Sequence, residues 1–85
     1  MLNNPLIDII IPNYNKGKYI KECLESVLNQ TYKNWKVYLV DDCSNDNSKE
    51  ILKSYENKEN INLFFLQENL GPSYCRNYGV KNSNS

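Results

Sequence analysis

Three short apolar runs, each followed by a stretch with helical periodicity, constrain this chain more than any other feature of its sequence. The first, Ile7 to Ile11, is β-branched and nearly continuous, the pattern of a strand buried on both faces, and Pro12 closes it. From Lys18 onward Tyr19, Ile20, Cys23, Leu24, Val27 and Leu28 fall on one side of a helix, with Lys21, Glu22, Glu25 and Asn29 on the other. Lys36 to Val40 reads as a second strand that stops abruptly at Asp41 and Asp42. Capping residues crowd Ser44 to Ser48, and Ile51, Leu52 and Tyr55 then share the face of a second helix. Ile61 to Leu66 gives a third strand, and Pro72 stands where a first helical residue is preferred, ahead of Tyr74, Cys75 and Tyr78. Strand and helix alternating three times predict an α/β fold, a Rossmann-like parallel sheet with flanking helices.

Ligands of such sheets bind beyond the carboxyl ends of the strands. Those ends are Pro12 to Gly17, Asp41 to Asp46 and Gln67 to Gly71, and Tyr14, Asp42 and Gly71 are therefore expected on one edge. At 85 residues the chain makes at most one small domain, and such a domain buries only about 60% of its extended surface. An exposed sheet edge and self-association through it are expected. The polar segment Lys81 to Ser85 has no apolar member and reads as an unpacked tail.

Composition excludes several classes. Ten basic and ten acidic side chains balance, so nucleic acid is not an expected partner. No apolar run approaches the roughly 20 residues of a membrane span, and the start lacks the basic and apolar segments of a signal peptide, so a cytoplasmic location is expected. Three cysteines without close spacing argue against a disulfide framework or a zinc site. With no histidine to activate a thiol, Cys43 and Cys75 read as small apolar fillers.

Asp41 and Asp42 carry the sharpest chemical signal, because a carboxylate at a buried strand tip must find hydrogen-bond donors. One reading is that either caps the next helix. The other is base recognition, in which a fixed carboxylate accepts the N–H that uracil presents between two carbonyls and that cytosine and adenine lack. Pro12, Asn13, Tyr14 and Asn15 form a turn of ordinary composition, yet Tyr14 could lay its ring on a base. Asn69 to Pro72 supplies a helix start suited to an anion, and Arg76 one turn later offers a phosphate fork or is simply a solvated helix residue. Lys16 and Lys18 are read as solvated.

The ordered pieces PNYN, LNQTY, VDDCSND and NLGPSYCRNYG, spread from about Ile7 to Lys81, resemble the amino-terminal half of family 2 glycosyltransferases of the GT-A fold. The resemblance implies transfer of a sugar from a nucleotide donor, commonly a UDP-sugar, to a hydroxyl of a glycan or lipid-linked acceptor, with a divalent metal (Mg or Mn). Carried onto this sequence, Pro12 and Tyr14 line the base pocket, Asp42 with Asp41 beside it reads the uracil, and Arg76 approaches the donor. Asn13, Cys43 and Cys75 stand where a small hydroxyl residue, glycine and alanine are common. The Asp-x-Asp that holds the metal and the catalytic base do not occur before Ser85, so the resemblance implies a truncated portion without transferase activity of its own. A non-catalytic nucleotide-binding or assembly module is the alternative. A receiver-like signalling domain is disfavoured, because the acidic pair follows the second strand and later strands lack the expected acid and lysine.

Overall fold

The computed structural model describes residues 5–83. Its order is β1 (Ile7–Asn13), α1 (Gly17–Asn29), β2 (Trp35–Asp41), α2 (Ser48–Lys53), β3 (Ile61–Phe65) and α3 (Pro72–Asn82). The strands form one parallel sheet in the order β1-β2-β3, with Ile9 opposite Val37 and Val37 opposite Ile61. This is a Rossmann-like parallel sheet with flanking helices, as the alternation of runs and helices predicts.

Side-chain parity assigns the two faces of the sheet. Ile9, Ile11, Val37, Leu39, Leu63 and Phe65 turn toward α1 and α2 and join Ile20, Leu24, Leu52 and Tyr55 in the main core. The alternate residues meet α3: a Cβ on Gly79 would sit 2.6 Å from Ile10 Cγ2, and Tyr78 meets Phe64 edge-on at 5.6 Å. Two crossovers thus run over one face, while α3 turns back over β1 and β2 on the other. The loops after β1 and β2 lead to one side of the sheet and the loop after β3 to the other, so a crevice opens between them at the carboxyl edge.

Several boundaries differ from those read in the sequence, for physical reasons. Pro12 does not close β1, which continues through Asn13. Ile7 N and Asn13 O bond toward the β2 side, and since alternate residues of a strand face opposite edges, the N–H that Pro12 lacks would point to the outer edge and costs no ladder bond. On α1 and α3, Tyr19 and Tyr74 are exposed, because Ile20 and Leu24 on one helix and Cys75 and Gly79 on the other fill the facing positions. The polar tail begins later than expected: Lys81 and Asn82 belong to α3, and Ser83 is buried with its hydroxyl donating to Val80 O at 2.7 Å. Residues 84–85 of that tail lie outside the described residues. No helix among the described residues is long and apolar enough to cross a membrane.

Candidate functional site

Beyond the carboxyl ends of the strands lies a cleft of about 380 Å³, lined by Pro12 and Asn13 at the end of β1, Tyr14 and Lys16 from the first loop, Asp42 from the second, Asn69 and Gly71 from the third, and Pro72 and Cys75 of α3. The expected convergence of Tyr14, Asp42 and Gly71 is therefore present. Each loop is held by hydrogen bonds that identify what its residues can do.

Asp41 and Asp42, adjacent in sequence, have separate partners. Asp41, wholly buried, accepts from Asn13 Nδ2 at 2.9 Å, from Ser44 Oγ at 2.7 Å and from Ser44 N at 2.9 Å. It does not line the cleft, its carboxylate being engaged by Asn13 and Ser44. Asp42 lines the cleft, and its two oxygens accept the N–H groups of Leu70 at 2.7 Å and Gly71 at 2.9 Å. Neither carboxylate caps α2, whose N-cap Asn47 makes no side-chain cap bond; Asp46, just before it, accepts Ser48 N at 2.9 Å.

Asn15 is engaged by the second loop. Its Oδ1 accepts Asn45 N at 2.8 Å and Asp46 N at 3.2 Å, while its own N–H donates to Ser44 Oγ at 2.9 Å. It clamps the first loop to the second and does not line the cleft. Its φ of 52° lies in the left-handed region, which asparagine tolerates. Cys43 has a φ of 60°, a conformation that glycine adopts without steric cost. Gly71, at φ 95°, precedes α3 and permits the turn that presents its N–H to Asp42.

The approach to α3, expected to suit an anion, is partly engaged from within the chain. The Asp42 carboxylate takes the Leu70 and Gly71 amides, and Pro72 has no N–H to offer. Arg76 is exposed and does not line the cleft. Lys16, read as solvated, does line it, and so do Asn69 of the third loop and Pro72 and Cys75 of α3, the last read as an apolar filler. Burial pushes the Cys75 thiol up to about 11, helped by the charge and hydrogen bond of Asp42 and the charge of Asp41. At neutral pH it is a neutral wall of the cleft and not a nucleophile.

The described residues do not fit a divalent metal, since among them no group of three or more His, Cys, Asp or Glu is placed to hold one.

The profile of glycosyl transferase family 2 matches residues 8–85. The chain belongs to this family. Among curated relatives, TuaG of Bacillus subtilis (strain 168), named as a teichuronic acid biosynthesis glycosyltransferase, is 40% identical over 91% of this chain and 31% of its own length. Glycosyltransferase GlyA of Streptococcus pneumoniae serotype 4 is 42% identical over 96% of this chain and 12% of its own. The chain thus spans about a third or less of the length of these family 2 relatives. Of solved structures, S. aureus TarS 1–349 in complex with UDP-GlcNAc superposes with a TM-score of 0.83 at 37% identity, covering 92% of this chain and 23% of that one. The mannosyltransferase PcManGT from Pyrobaculum calidifontis, in complex with GDP-Man and Mn²⁺, superposes with a TM-score of 0.81 at 22% identity over 89% of this chain and 24% of that one, a likeness of fold. Family 2 membership makes this chain a glycosyltransferase segment corresponding to the amino-terminal portion of these structures.

Proposed function

We propose that this chain supplies the donor-nucleotide site of a glycosyltransferase, with the cleft receiving the nucleoside diphosphate of a UDP-sugar. The observation that carries the reading is the meeting of Tyr14, Asp42 and Gly71 around one cleft at the carboxyl edge of the sheet. A carboxylate has about four lone-pair sites, and the two amide bonds to Asp42 leave acceptor capacity for the N3–H of uracil. Tyr14, 43% exposed on the rim, offers its ring to the face of the base, and Pro12 adds an apolar wall. The UDP-GlcNAc complex of the TarS neighbour supports uridine as the nucleoside.

The sugar would pass to a hydroxyl of a glycan or lipid-linked acceptor. The metal-holding Asp-x-Asp and the base that deprotonates the acceptor belong, in this reading, to a part of the enzyme other than residues 1–85, and the chain alone is inactive. Three cysteines, odd in number and without close spacing, fit a reducing compartment and hence a cytoplasmic location.

Ligand-observed NMR with UDP, CDP and N3-methyl-UDP tests the base contact without altering the protein. UDP should bind more tightly than either of the others, because both lack the N–H that Asp42 would accept. Equal binding of all three removes the support for uracil recognition by Asp42.

A further inference from the structure

Among the described residues that line the cleft, two side chains are charged, Asp42 on its floor and Lys16 on its rim. The backbone around Lys16 is firmly placed. Asn15 is tied to Ser44, Asn45 and Asp46, Lys16 O accepts Ile20 N at 2.8 Å, and Gly17 N donates to Asp46 Oδ2 at 3.1 Å. Gly17 packs so tightly on the second loop that a Cβ there would lie 2.4 Å from Asn47 Oδ1 and 3.3 Å from Ser48 N. With Asn15 and Gly17 bound to that loop, the intervening Lys16 lines the cleft two residues after Tyr14.

We propose that Lys16 is the phosphate-reading residue of this cleft, its ammonium meeting the diphosphate of the nucleotide whose base lies against Tyr14 and Asp42. The inference rests on the donor-site reading and adds to it a residue that discriminates nucleotide from nucleoside. Two competing phosphate contacts are weakened by the geometry. The Leu70 and Gly71 amides before α3 are held by Asp42 and followed by a proline, the next amides belong to Ser73 and Tyr74, which do not line the cleft, and neither does Arg76. A diphosphate also brings negative charge toward Asp42, and the rim ammonium offsets that repulsion on a flexible stem that adapts to the phosphate position.

The test is a binding series of uridine, UMP and UDP against the full chain, its Lys16→Gln and Lys16→Arg forms, and Arg76→Gln, followed by ligand-observed NMR. Affinity should rise from uridine to UDP in the unaltered chain. The UDP-to-uridine ratio should fall by about three- to tenfold in Lys16→Gln, stay within about twofold in Lys16→Arg, and shrink with added salt, as expected of a partly exposed ion pair. Uridine binding with an unchanged ratio in Lys16→Gln, or a ratio that falls in Arg76→Gln instead, overturns the assignment to Lys16 while leaving the donor site standing. Failure of uridine and UDP alike to bind the unaltered chain overturns the donor site and the phosphate contact together.

Discussion

Asp42 receives the Gly71 amide at 2.9 Å, joining the end of β2 to the residue that precedes α3. The same carboxylate holds Leu70 N, so the second and third loops share one anchor on the floor of the cleft. Asp42→Ala removes both acceptors from a residue only 3% exposed, and should cost about 2–4 kcal/mol in urea unfolding. Asp42→Asn keeps one carbonyl oxygen and should cost less. Equal stability of the unaltered chain and Asp42→Ala would show that the loops hold together without this anchor.

Tyr14 provides a contrast, since its ring lies on the surface and no core depends on it. If it stacks on the base, Tyr14→Ala should weaken UDP by about 1–3 kcal/mol, roughly five- to hundredfold, while the thermal midpoint stays nearly constant. Retained UDP affinity in Tyr14→Ala would place the base elsewhere in the cleft.

Packing of α3 depends on a missing side chain. Gly79→Ala would ordinarily stabilise a helix interior by up to about 1 kcal/mol, yet its Cβ would meet Ile10 Cγ2 at 2.6 Å, a methyl fixed on a β-branched strand residue. Overpacking should win, with a net loss of about 1–2 kcal/mol. Adding Ile10→Ala should relieve the clash and make the double variant more stable than the sum of the single changes predicts.

Proton linkage predicts losses at both ends of the pH range. Burial would raise the Asp46 carboxyl, but hydrogen bonds from Ser48 and Gly17 outweigh it and hold the group below its usual value of 3.8. A depressed carboxylate stabilises the fold above the unfolded value, and that contribution is lost as pH falls through the folded one. Asp46→Asn should therefore flatten the acid side of a stability curve measured below about pH 4. Cys75 is raised from 9.0 to about 11, so its contribution is intact below pH 9 and declines as pH rises through 11. Cys75→Ala should remove part of that alkaline decline, and Tyr55, raised to about 12 by burial and by Glu25, should account for more of it.

The outer edge of β1 has no partner strand among the described residues, and Leu6 and Ile7 beside it are 50% and 47% exposed. Concentration-dependent association is expected in sedimentation, reduced by Ile7→Lys, which places a charge on the edge. A compact monomer at high concentration would count against it.

The three strands, the helices between them and the edge where their loops meet were legible in the sequence alone. Buried β-branched runs and 3.6-residue periodicity are local consequences of how each segment hides its apolar side chains, and the βαβ order sets where the loops gather. The family was legible as well, because its motifs are contiguous. What the residues of those loops touch was not. Asp41 and Asp42 look alike in sequence, and only the meeting of strand ends turns one inward to Asn13 and Ser44 and the other to the Leu70 and Gly71 amides. Likewise Lys16 joined the cleft and Arg76 stayed outside it, because a long polar side chain carries no periodic signal and its place follows from the backbone beneath it. Hydrogen bonds between residues about 30 positions apart, such as Asn15 with Asn45 and Gly17 with Asp46, set that backbone, and they exist only once the sheet has brought the loops together.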